Sequence, residues 1–124
     1  MKNNKLLKLL IIFTSIIFCE TKYEIYELRK KAEIYNHRKN KDEALKIYLI
    51  LFKKDKNNYE FLKKIKEILI SKKDYELLIE NYNTFIKNSS NPKNIFDAEV
   101  ELLEVKIWNK DPEWINDLYN LGNK

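Results

Sequence analysis

Apolar residues in this chain recur at three- and four-residue steps over most of its length, the spacing that lines them up along one face of a helix. From residue 23 onward, Ile25, Leu28, Ala32 and Tyr35 define such a face, and residues 38–41 form a polar break after it. Apolar positions resume over 42–53, and the DKNN of 55–58 then ends that helix with side chains that compete for backbone hydrogen bonds. Leu62, Ile65 and Leu69 predict a helix over 59–71, and after a turn at 72–74 Leu78, Tyr82 and Phe85 predict another over 75–87. The NSSNP of 88–92 is a stop. Beyond it Phe96, Val100, Leu103 and Ile107 mark the expected inward face of a helix over 94–109. Asp111 and Pro112 then read as N-cap and first residue of a last helix that buries Trp114, Leu118 and Leu121. The expected fold class is all-α, made of tandem antiparallel helical hairpins.

The hairpins repeat. Shifting the chain by 34 residues lays Leu28 on Leu62, Glu33 on Glu67, Ile34 on Ile68 and Tyr48 on Tyr82. Ala32, Tyr35, Ala44 and Tyr48 supply a small and an aromatic residue to each helix of the first unit. That period and those positions resemble the tetratricopeptide repeat over residues 23–87. The resemblance implies two repeats and a degenerate capping pair, with a groove for a protein partner along the first helix of each repeat. By position in the repeat the groove residues are Tyr26, Arg29, Glu33 and Asn36, then Lys63 and Glu67. Lys66 and Leu78 stand where the family has small residues, which predicts a less regular second hairpin. A helical bundle with hairpins of equal length is the alternative.

The N-terminus has a different pattern. Lys2, Lys5 and Lys8 precede an unbroken apolar run from Leu9 to Phe18, shorter than the ~20 residues a membrane span needs and typical of a signal peptide. The expected organisation is a signal peptide at 1–18, a junction at 19–22 and a helical domain at 23–124. Cys19, the single cysteine, sits at that junction and resembles the lipidation site of bacterial lipoproteins, although Phe18 stands where that family favours a small residue. The resemblance implies a lipid-anchored, exported chain. Cleavage after Thr21 and an uncleaved anchor ending at Cys19 use the same residues. With one cysteine no internal disulfide forms, so packing alone holds the fold.

Composition sharpens this picture. One Gly and two Pro among 124 residues leave few signals for hairpins of strands. The formal charge is +5, but the three leader lysines make up more than half of it, and elsewhere the signs alternate with no basic stripe for nucleic acid. His37 is the only histidine and has no second ligand near it in sequence, Ser89 and Ser90 have no partner base, and no Gly-rich loop is present. Glu99, Glu101 and Glu104 read as solvating charges. These observations argue against an enzyme, and no cofactor, metal or small-molecule substrate is expected. Residues 44–52 are apolar almost all round. Leu49 and Ile50 have no apolar equivalent in the next repeat, where Asn83 and Thr84 stand, so they are either packed by a neighbouring segment or form an apolar partner surface.

A lipobox-like cysteine followed by such hairpins is similar to the accessory lipoproteins of the outer-membrane β-barrel assembly machinery. That resemblance implies a membrane-tethered scaffold facing the periplasm, at the outer membrane, with a barrel-assembly subunit as protein partner. A general periplasmic adaptor for a cell-wall or secretion complex, and a structural subunit that self-associates through helix 42–53, are the other expectations.

Overall fold

The computed structural model describes residues 2–124, and their side chains except those of residues 2–3 and 17–20. Among the described residues all regular structure is helical: α1 Lys2–His37, α2 Lys41–Lys54, α3 Tyr59–Lys72, α4 Tyr75–Asn88, α5 Pro92–Trp108 and α6 Trp114–Gly122. The fold class is the expected one, an all-α arrangement of helical hairpins. The chain divides into two compact units, Met1–Ile47 and Tyr48–Lys124, with the boundary inside α2.

In the first unit α1 runs without a break through the expected junction at 19–22. Residues 18–23 contain no Gly, Pro, Asn or Asp, so nothing in the backbone stops the helix there. Thr14 and Ser15 donate to the carbonyls of Leu10 and Ile11, at 2.9 and 2.8 Å, which satisfies their hydroxyls along the helix. Leu6, Leu7, Leu9, Leu10, Ile11, Ile12, Phe13 and Ile16 are all exposed. Among the described residues no helix is long and apolar enough to cross a membrane. The side chain of Cys19 lies outside the described residues. Ala32 and Ala44 are fully buried, as their small size at the hairpin predicts.

One turn geometry occurs three times. Lys39, Lys73 and Lys110 adopt left-handed backbone with φ of 61°, 57° and 56°. The following residue in each case sends its N–H back five residues, from Asn40 to Tyr35, Asp74 to Leu69 and Asp111 to Lys106, at 2.9–3.0 Å. This is the Schellman closure, normally built on glycine. The first two turns lie 34 residues apart, so the sequence period is also a period of the backbone.

The second unit packs α3 on α4, α4 on α5 and α5 on α6. Leu62, Ile65, Leu69, Leu78, Tyr82, Phe85, Ala98 and Val105 are its fully buried centre. Asn58 and Asp74 cap α3 and α4 by accepting from the N–H groups of Phe61 and Leu77, at 3.1 and 3.2 Å. The larger residues of the second hairpin are accommodated in two ways. Leu78 is wholly inside, and the long stem of Lys66 carries its ammonium out of the α3–α4 contact.

Three expectations are corrected here. Helix α5 buries Ala98, Leu102 and Val105 together with Leu103, and leaves Phe96, Val100 and Ile107 exposed. The sequence carries two apolar stripes on this helix, and the one with Ala98 faces inward because a small residue admits close approach. Pro takes the first helical position in α5, where Asn91 accepts from the N–H groups of Lys93 and Asn94. It does not do so in α6. Asp111 closes the turn by accepting from Glu113 N at 2.9 Å, and α6 starts at Trp114 without a side-chain cap. Leu118 is 51% exposed, and α6 buries none of its residues.

Candidate functional site

The chemistry-bearing residues fall into three groups, of which the first is described helix by helix and the other two lie within the second unit. On α1, Tyr26 is exposed with the Lys30 ammonium 5.9 Å from its ring centre. Arg29 and Glu33 pair one helical turn apart at 3.6 Å, and the carbonyl of half-buried Asn36 accepts from Lys39 N. On α3, the Lys63 ammonium lies 4.7 Å over the Tyr59 ring, and Glu67 is 3.8 Å from Lys64. Each helix thus presents a row of alternating charge. Such pairs contribute a few tenths of a kcal/mol each and are open to exchange with a partner's charges. On α2, Leu49 is half-buried and Ile50 is 46% exposed.

The second group centres on Glu101, which is not the solvating charge that its sequence position suggests. Glu101 projects from α5 with a quarter of its side chain exposed. Tyr59 of α3 donates to its Oε1 at 2.7 Å, Tyr82 of α4 donates to its Oε2, and the Lys66 ammonium lies 3.2 Å from Oε2. Burial works against the charge on Glu101, but the hydrogen bonds from Tyr82, Tyr59 and Lys66 outweigh it and hold the carboxyl below its usual range. Burial, and then the hydrogen bond to Glu101, push both tyrosine hydroxyls far above their ordinary value, so they stay protonated donors. The Tyr59 ring also stacks at a tilt on Phe85, 5.3 Å between centres. The cluster clamps α3, α4 and α5 through one carboxylate. Its signal in the sequence was a glutamate between Ala98, Leu102 and Val105, together with core tyrosines whose hydroxyls needed acceptors.

The third group surrounds a cavity of about 240 Å³ between α4, α5 and α6, with Ile86, Leu102, Leu103, Lys106, Asp117 and Leu121 in its wall. Lys106 is only 9% exposed, and its ammonium pairs with Asp117 of α6. Lys124 pairs with Glu99 at 2.6 Å beside it. Sequence reasoning missed Lys106, whose place beside Leu102, Leu103 and Val105 was the available sign.

Among the described residues no buried side-chain polar atom lacks a hydrogen-bond partner, and no group of three His, Cys, Asp or Glu is placed to hold a metal ion. Comparison with protein-family models, curated proteins and solved structures finds no match to this chain.

Proposed function

We propose that this chain is a non-catalytic protein–protein interaction scaffold of tetratricopeptide-like hairpins, tethered to a membrane by lipid on Cys19. The observation that carries the reading is apolar surface that the hairpins leave uncovered. Ile50 on α2, Phe96, Val100 and Ile107 on α5, and Ile115, Leu118 and Tyr119 on α6 are all exposed. Phe96, Val100 and Ile107 share one face of α5, and a contiguous exposed apolar stripe of this kind marks a contact with another protein or a membrane. The charged rows on α1 and α3 add polar specificity to such a contact. The exposed apolar side chains between Leu6 and Ile16 support membrane attachment.

The partner in this reading is a subunit of the outer-membrane β-barrel assembly machinery, met from the periplasmic side. Capture of the tagged chain from detergent-solubilised membranes should recover that subunit, and its consistent absence overturns the assignment. Cys19→Ala should release the chain from membranes. Unchanged attachment, with no lipid label on the unaltered chain, ends the lipoprotein reading. Exposed Ile50 favours one second reading, a structural subunit that self-associates through α2. A monomer by light scattering removes it.

A further inference from the structure

Helix α6 is held in an unusual way for a terminal helix. It has nine residues, none of them buried, and no side-chain cap at its start. A helix this short does not persist alone in water, so its contacts with the rest of the unit decide whether it forms. Those contacts leave an open groove of about 240 Å³ lined by α4, α5 and α6. Two ion pairs contribute to the hold: Asp117 meets Lys106, and Lys124 meets Glu99.

Lys106 gives this groove its chemical demand. With α6 in place Lys106 is 9% exposed, and any helix that covers it to that degree must bring a carboxylate, because burying the ammonium unpaired is strongly unfavourable. Asp117 supplies the carboxylate, and Leu121, one turn further on, lines the same groove as Ile86, Leu102 and Leu103. Any helix with an acid four residues before a leucine offers the same two contacts. A longer one would also fill the space that α6 leaves.

We propose that the groove between α4 and α5 is a docking site for an amphipathic acidic helix of a protein partner, and that α6 is the chain's own exchangeable occupant of it. The proposal rests on the scaffold reading for the existence of a partner and goes beyond it in naming where and by what chemistry the partner sits.

The test uses the full chain and a fluorescent peptide of residues 111–124, followed by anisotropy. Asp117→Asn in the chain weakens its own occupant, so the peptide should bind that variant about ten-fold more tightly than the unaltered chain. A peptide carrying the Asp117→Asn change should show no such gain, nor should the Lys106→Gln, Asp117→Asn double variant of the chain. In hydrogen exchange of the unaltered chain, α6 amides should open faster as salt rises while α3 amides stay unchanged. Equal peptide affinity for both chains, or α6 amides that exchange only with α3, overturns the proposal. So does dimerisation of the Asp117→Asn chain, which would give the groove to a second copy. The capture experiment asks whether a partner exists and the titration asks what the groove accepts, so either can fail alone.

Discussion

A left-handed backbone crowds the Cβ of lysine against the next carbonyl, at a cost of about 1–2 kcal/mol, yet Lys39, Lys73 and Lys110 all adopt it. Glycine removes that strain and loses part of the gain to its larger unfolded-state entropy. Lys73→Gly should therefore raise stability by about 0.5–1 kcal/mol in urea unfolding. Lys73→Val should lower it, since a β-branched residue fits this geometry worse. At Glu101 the argument concerns charge. Its folded pKa lies below the ordinary carboxyl value, so its contribution is complete above the unfolded pKa, near 4.5, and is lost as pH falls through the folded one. Glu101→Gln should cost about 1–3 kcal/mol at neutral pH, because Lys66 and the two hydroxyls lose their charged acceptor. The same variant should flatten the fall in stability on acidification, which melting temperatures across acid pH will measure. The turns left no sign in the sequence, and the Glu101 cluster left only an indirect one. A turn without Gly, Asn or Asp at its left-handed position leaves no mark of its handedness, and a glutamate's neighbours two helices away do not show in local spacing.

Among the helices, those with one apolar stripe and a clear cap were readable to within a few residues. Leu62, Ile65 and Leu69 of α3, and Leu78, Tyr82 and Phe85 of α4, are the buried faces their spacing predicts. Helix α5 was placed with the wrong face inward because Ala98, Leu102 and Val105 compete with Phe96, Val100 and Ile107, and periodicity alone cannot rank two stripes on one helix. The caps are open to direct measurement. Asn58→Ala and Asn91→Ala should each cost about 1 kcal/mol, since each removes an acceptor from a helix start. Asp111→Ala should cost less, because its carboxylate serves the turn before α6 and not the helix itself.

For the molecule as a whole, the scaffold reading separates stability from binding. Phe96 and Ile107 are about half exposed, so Phe96→Ser and Ile107→Ser should each change stability by less than about 0.5 kcal/mol. If their face contacts a partner, the double variant should still fold normally, by circular dichroism and melting, while recovering less partner in the capture experiment. The chain's hairpin order was legible from its 34-residue period. What its surface holds was not, because exposed apolar side chains record a need for cover without naming the cover. Within the second unit each helix packs mainly on the next, an arrangement whose parts tend to melt independently. Glu101 ties Tyr59 and Lys66 of α3 to α5 across the intervening helix. That bridge therefore bears on cooperativity. With it, α3, α4 and α5 should unfold in a single transition, and in Glu101→Gln the denaturant curve should broaden as α5 and α6 peel away first.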